Sequence, residues 1–209
     1  MRKWSAIFFS ILLVLSLSAC GQADKDNETG NRNSQVSAEK NKNNTGSTSS
    51  NTRVLIAYFT VPEDVKTSDN DAIAGASIVV KDSEKMGNTE YVAGLVQKTI
   101  GGDLFRIETK DAYPLEHDTL VDQAAEEQEK ELRPELSNHV ENFEQYDTVI
   151  LGFPNWWGDL PMPVYSFLEE YDFAGKVIVP FATSGMSLIG DSGKNMQELA
   201  PKAIVAAGE

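Results

Sequence analysis

The sequence predicts an α/β fold, a three-layer doubly wound sheet of five parallel strands. Three observations carry this. Short apolar runs alternate along the chain with stretches whose apolar residues recur at helical spacing. Two of the runs, Val54 to Phe59 and Val149 to Phe153, are apolar on both faces, as strands of a buried parallel sheet are. Arg53 to Glu209 has the length of one domain. Right-handed crossovers wind such a sheet on both faces. The strand order 2-1-3-4-5 is the smallest fit, with a ligand crevice outside the carboxyl ends of the first and third strands.

The segments before the domain read differently. Arg2 and Lys3 precede the apolar stretch from Ala6 to Leu17, which gives residues 1–19 the form of a secretion signal. The stretch is too short for a comfortable membrane span. Leu17-Ser18-Ala19-Cys20 resembles the lipobox of bacterial lipoproteins. That resemblance implies a lipidated Cys20 and an extracytoplasmic domain anchored at the bacterial cell membrane. Two or more acyl chains on Cys20 give stable anchoring, which one chain does not. Cys20 is the only cysteine, so the chain can form no internal disulfide and no cysteine metal site. Residues 20–52 are a polar linker in which Val36 is the one sizeable apolar side chain. Such a segment cannot offset its ordering entropy and is expected to be disordered, with a mean reach of roughly 30 Å.

Within residues 53–209 the elements follow in turn. After the first strand, Asn88 to Ile100 is a helix with Asn88 as its N-cap, stopped by Gly101-Gly102. Leu104 to Glu108 is a strand. Thr119 to Leu132 is a helix with Leu120, Val121, Ala124 and Ala125 inward and its glutamates outward, ended by Arg133-Pro134. Thr148 to Phe153 is the third strand. Pro163 starts a helix that buries Val164, Phe167, Leu168 and Tyr171. Lys176 to Ala182 is the fourth strand, where Pro180 lacks a donor and predicts a bulge or distortion. Asp191 to Ala200 is a short helix and Ala203 to Ala206 a fifth strand.

The net charge is −14. It argues against nucleic acid and anionic lipid surfaces as direct ligands and favours a basic partner. His117 and His139 are far apart, with no metal-ligand spacing, and read as surface or core histidines. The run from Glu126 to Glu131 reads as a solvated helix face. Gly190-Asp191-Ser192-Gly193 has no histidine context for a serine nucleophile. Gly193-Lys194 lacks the glycine spacing of a nucleotide phosphate loop.

Three loops should meet at the carboxyl edge of the sheet. The first runs from Thr60 to Gly87-Asn88-Thr89, where a helix N-terminus and two threonine hydroxyls suit a phosphate. The second, Pro154-Asn155-Trp156-Trp157-Gly158, offers stacking rings. The third, Thr183-Ser184-Gly185, offers amides and hydroxyls. Together they suit a flat phosphorylated cofactor.

Y-F-T with G-N-T, then G-F-P-N-W-W-G-D-L-P-M-P, then P-F-A-T-S-G-M-S-L-I-G-D-S resemble the flavodoxin-like family of FMN-binding proteins. The resemblance spans Arg53 to Gly208. It implies that Thr60, Gly87, Asn88 and Thr89 hold the FMN phosphate. It implies that Pro154, Asn155, Trp156, Trp157 and Gly158 contact the flavin and ribityl chain, Trp156 ahead of Trp157 as the stacking ring. It implies that Thr183, Ser184 and Gly185 approach the pyrimidine side. Two departures stand out. A long insertion, Val61 to Met86, replaces the family's very short phosphate loop, and its apolar run from Ala76 to Val80 is expected to pack as a lid. Met86 stands where that loop often carries a hydroxyl. The family also closes with a helix after the fifth strand, whereas this sequence stops at Glu209. It therefore reads as truncated, with one sheet face partly bare.

The expected function is electron transfer through FMN, with no catalytic side chain and no metal. The redox partner is a protein or a small donor or acceptor. Two alternatives remain beside it. One is an FMN-dependent NAD(P)H or quinone oxidoreductase. The other is a non-enzymatic surface lipoprotein that binds flavin or a partner.

Overall fold

Strand Val54–Tyr58 (β1) is central in the main sheet. The computed structural model describes residues 53–67, 72–185 and 187–206, so the expected secretion signal, Cys20 and the expected linker to residue 52 lie outside the described residues. The other strands of the main sheet are Asp103–Arg106, Thr148–Pro154, Val177–Thr183 and Ile204–Val205. All four pairings are parallel. In chain order of these five strands the sheet runs 2-1-3-4-5, as expected.

The insertion after β1 folds into structure of its own. Ala72–Ile73 (β2), Ile78–Lys81 (β3) and Glu84–Gly87 (β4) form a separate antiparallel sheet of three strands. The sequence showed only its apolar run, because strands this short carry little alternation. With those included, the main-sheet strands after β1 are β5 (Asp103–Arg106), β6 (Thr148–Pro154), β7 (Val177–Thr183) and β8 (Ile204–Val205).

Four α-helices complete the described residues: α1 (Asn88–Ile100), α2 (His117–Glu129), α3 (Met162–Glu170) and α4 (Ser192–Leu199). Strand alternation sends two sets of side chains to the two faces. Leu55, Ala57 and Phe59 of the β1 segment, with Val149, Leu151 and Phe153 of β6, join the larger core with Leu120, Val164, Phe167 and Met196 from α2, α3 and α4. Each of these side chains larger than alanine contributes roughly 1.5–3 kcal/mol by leaving water. Ile56, Tyr58 and Ile150 face the other way and meet Ala93 of α1, with Val54, Val96 and Phe181 alongside. Phe181 reaches this face over Gly152, where any Cβ would stand 2.2 Å from its ring. Among the described residues α1 alone covers this face. Leu104, Val179 and Ile204 stay exposed, Ile204 by 64%.

Several local expectations are corrected. The N-cap of α1 is Gly87, with Asn88 already helical. Helix α2 starts two residues before Thr119, because the Glu116 carboxylate accepts from the amides of Asp118 and Thr119 and caps it. It ends at Glu129, ahead of Glu131, whose φ is 51°. Glu127 points inward, where it accepts a hydrogen bond from the Tyr113 hydroxyl and another from Gln123 at 2.9 Å. Pro180 causes no bulge, since β7 pairs with β6 in unbroken register through Leu151 and Pro180. The carbonyls of Lys176 and Ile178 bond toward β8, so alternation turns residue 180 to that same side. Among the described residues β8 pairs only as far as Ile178, so the missing donor meets no described partner strand.

Candidate functional site

The carboxyl ends of β1, β6 and β7 open into a cleft of about 750 Å³, counting the space open to solvent at its mouth. One wall is the loop after β6. Trp156 and Asp159 exchange backbone hydrogen bonds at 3.1 and 3.0 Å, closing a two-residue turn. Its central residues Trp157 and Gly158 have φ of 53° and 83°. Positive φ at both is what a type I′ turn requires, and glycine takes the second place without strain. Asn155 fastens this turn from three sides. Its amide donates to the Thr183 carbonyl at 2.9 Å, its Oδ1 accepts from the Gly158 amide at 2.9 Å, and its Nδ2 donates to the Leu188 carbonyl at 2.7 Å. The loops after β6 and β7 are therefore one unit.

The two tryptophans have different surroundings. Trp156 is half-buried and meets Phe59 and Tyr113 edge to face, both at 5.4 Å between ring centroids. Burial, then the hydrogen bond to Glu127, pushes the Tyr113 hydroxyl far above its ordinary pKa, so it stays a donor. Trp157 is 61% exposed, and its Nε1 donates to the Val121 carbonyl of α2 at 3.3 Å. Both rings line the cleft. Of the two, Trp157 presents the more accessible ring.

The floor is the start of α1. Asn88 lines the cleft, and its amide already donates to the Ser77 carbonyl at 2.9 Å. The amides of Thr89 and Glu90 follow it in the first turn, which a helix leaves without intrahelical acceptors. Thr89 is fully buried, and its hydroxyl shares a hydrogen bond of 2.8 Å with that of Thr183. That bond ties the third loop to the helix start. Thr60 is buried against Gly87, and its hydroxyl has no partner. A Cβ at position 87 would stand 2.0 Å from that oxygen. Glycine is required there for close approach.

Eight residues expected at the site line the cleft: Asn88, Pro154, Asn155, Trp156, Trp157, Thr183, Ser184 and Gly185. Thr60, Gly87, Thr89 and Gly158 lie beside it without lining it. The lining also contains residues that the sequence did not single out. Gly75 and Ser77 bring the insertion to the wall, and Leu120, Val121 and Ala124 present the apolar side of α2. Glu63 and His117 form a pair, with His117 Nδ1 2.8 Å from Glu63 Oε2. His117 is a half-exposed surface histidine that also lines the cleft. The sequence hid it because the expected start of α2 fell two residues late. Among the lining residues there is no lysine or arginine.

These residues fit a flat ring carrying an anionic tail. The ring has an exposed indole and apolar α2 side chains to lie against. The tail has the free first-turn amides at the start of α1, beside Asn88 in the lining.

The family model named Flavodoxin matches residues 77–209. Solved structures share the fold. A protein provisionally assigned as a flavoprotein from Bacteroides eggerthii is 28% identical, with 75% of this chain and 86% of that one covered and a TM-score of 0.59. A protein with the same provisional assignment from Bacteroides uniformis is 28% identical over 74% of this chain and 86% of that one, with a TM-score of 0.58. A flavoprotein from Lactobacillus acidophilus, solved in complex with FMN, is 16% identical over 74% of this chain and 89% of that one, with a TM-score of 0.56. At that identity the likeness is one of fold alone. No match was found among curated proteins. The family match begins inside the small antiparallel sheet and runs through the helix start and both later loops of the cleft, so the chain belongs to the flavodoxin family.

Proposed function

We propose that the domain binds FMN across this cleft and transfers electrons at the outer face of the membrane, tethered through Cys20. One observation carries the reading. The exposed indole of Trp157 and the N-terminus of α1 line the same cleft, so a ring and its phosphate tail can be held together. The FMN found in the Lactobacillus acidophilus flavoprotein of like fold supports it.

Bound FMN supplies one- or two-electron redox chemistry. The chain's own residues do the rest. Trp157 and Trp156 wall the ring, with Pro154 and Asn155 behind them. Thr183, Ser184 and Gly185 offer backbone groups to its polar edge. Asn88 and Thr89 place the helix dipole at the tail. With no basic side chain on the wall, the tail depends on amides and hydroxyls, which makes its affinity less sensitive to salt than an arginine cluster would.

The test is uptake of the cofactor. The purified domain is expected to be yellow, or to quench added FMN fluorescence at a one-to-one ratio. A colourless protein that quenches nothing rules the reading out. The location has its own test: Cys20→Ala should move the protein from the membrane fraction to the medium or soluble fraction.

A further inference from the structure

An anionic tail is held by cations or by hydrogen-bond donors, and the wall of this cleft has one side chain able to supply a positive charge. Lysine and arginine are absent from its described lining, and His117 is its only histidine. Hydrogen bonds to ionised groups are roughly twice as strong as neutral ones, so a single imidazolium there carries weight.

The insertion decides where that ring stands. Glu63 is 4% exposed, and its Oε2 lies 2.8 Å from His117 Nδ1. Burying a carboxylate is costly unless it is paired. The segment that carries it is fastened on three sides. The Glu63 amide donates to the Ala76 carbonyl at 3.3 Å, the Asp64 amide to the Leu115 carbonyl at 2.9 Å, and Lys85 Nζ to the Glu63 carbonyl at 3.3 Å. The next carbonyl along the insertion, that of Ser77, accepts from the Asn88 amide at 2.9 Å. Two adjacent carbonyls, 76 and 77, thus tie Glu63 on one hand and the first turn of α1 on the other. The Glu63–His117 pair therefore stands at the tail end of the cleft, beside the free amides of α1.

With Nδ1 turned to Glu63, the second nitrogen is left for a ligand. The His117 side chain is 53% exposed, and Nε2 has no partner among the described residues. A protonated ring donates from both nitrogens at once, so Nε2–H is available to an anion while Nδ1–H keeps the carboxylate. A neutral ring held through Nδ1–H presents a lone pair at Nε2 and gives a phosphate nothing.

We propose that His117, held by Glu63, is a phosphate-binding residue of this cleft, and that its charge makes the preference for phosphorylated over unphosphorylated flavin rise in acid. The proposal rests on the flavin reading above and adds to it a specificity residue and its regulation. Glu63 touches no phosphate and is a positioning residue. The other charged groups about the ring are Glu116 and Asp118 at the start of α2, and Lys85 and Asp64, which pair at 2.9 Å beside Glu63. The Glu116 carboxylate is engaged by the amides of Asp118 and Thr119. Carboxylates ordinarily titrate near pH ~4 and lysine near ~10. Between about pH 6.5 and 8 the change therefore comes from the ring and, less, from the phosphate, whose second proton leaves near pH ~6.

The experiment uses the full chain and two probes, FMN and riboflavin, which share the ring and ribityl chain and differ in the phosphate. Each is titrated by fluorescence between about pH 8 and about pH 6.5. The ratio of the two affinities isolates the phosphate. In the wild type that ratio should rise about tenfold as pH falls, the scale of one hydrogen bond between charged groups. In His117→Gln, which keeps a donor but gains no charge, it should stay flat or fall. In His117→Arg, charged throughout, it should be high at pH ~8 and rise no further. Glu63→Gln should blunt the wild-type rise. Riboflavin uptake shows that each variant is folded. A wild-type ratio that does not rise in acid overturns the proposal while the flavin reading stands, and so does a rise that survives in His117→Gln. Should His117→Gln not fold, a His117→Arg ratio that climbs like the wild type's overturns it equally. If the wild type takes up neither flavin, both readings fall.

Discussion

Trp157 Nε1 donates to the carbonyl of Val121 at 3.3 Å, so the tip of the loop after β6 rests on α2 at the mouth of the cleft. The bond holds the most exposed ring of the site in place while leaving it accessible. Trp157→Ala should therefore weaken FMN binding by about tenfold, since one aromatic pair is worth ~0.5–1.5 kcal/mol beyond its buried area. Trp157→Phe should recover most of that. Fluorescence titration of FMN into the three proteins measures it. Equal affinities would move the stacking role elsewhere.

Tyr113 and Glu127 form the other support of the tryptophan wall. Tyr113→Phe removes the donor to a buried carboxylate, leaving only the Gln123 contact. We expect a loss of about 1–3 kcal/mol in urea unfolding. Changing both residues, Tyr113→Phe with Glu127→Leu, should restore much of it, because neither side is then left unpaired. A single variant as stable as wild type would show that Glu127 is solvated.

Gly87 is both the last residue of β4 and the N-cap of α1. Its φ of −71° is open to any residue, so the constraint there is space alone. Gly87→Ala would place a methyl 2.0 Å from the Thr60 hydroxyl oxygen and should cost ~1–3 kcal/mol through overpacking. Thr60→Ala should relieve part of that cost. The two substitutions are expected to be non-additive in a double-mutant cycle, and additive values would show that the loop moves aside freely.

Acid should act on α2 through its cap. The Glu116 carboxyl lies below its ordinary value of 4.5, held there first by the Thr119 hydroxyl and then by the amides of Thr119 and Asp118. A depressed carboxyl contributes stability that is present above its unfolded pKa and lost as pH falls through the folded one. Glu116→Gln should therefore lower the melting temperature at pH 7, and the gap from wild type should close below that ordinary value. A gap that stays constant into acid would exclude the cap as its cause.

The sequence carried the main sheet well and the rim of the cleft in part. Strands such as Val149 to Phe153 announce themselves because burial on both faces leaves an unbroken apolar run. Helix α1 was legible to its last residue, because Gly101-Gly102 is an unambiguous stop. Asn155, Trp156 and Trp157 could be placed at a strand's end by local order alone. The pairing of Glu63 with His117 could not. They are 54 positions apart and come together only after a small sheet folds between them. Glu127 was misplaced for a related reason. A glutamate in a glutamate-rich run looks solvated until a tyrosine outside the helix is found against it. Pro180 misled in the opposite direction, since the penalty for a missing donor depends on a neighbour strand that stops two residues earlier.

That short neighbour has a consequence for encounters between molecules. Among the described residues no strand pairs with the outer margin of β7 beyond Ile178, which is where an extended segment from another chain would add. At the first open position on that side it meets a pyrrolidine ring with nothing to donate, which interrupts such a ladder where it would have to begin. The imino acid at 180 would leave such an added strand one donor short at its first position.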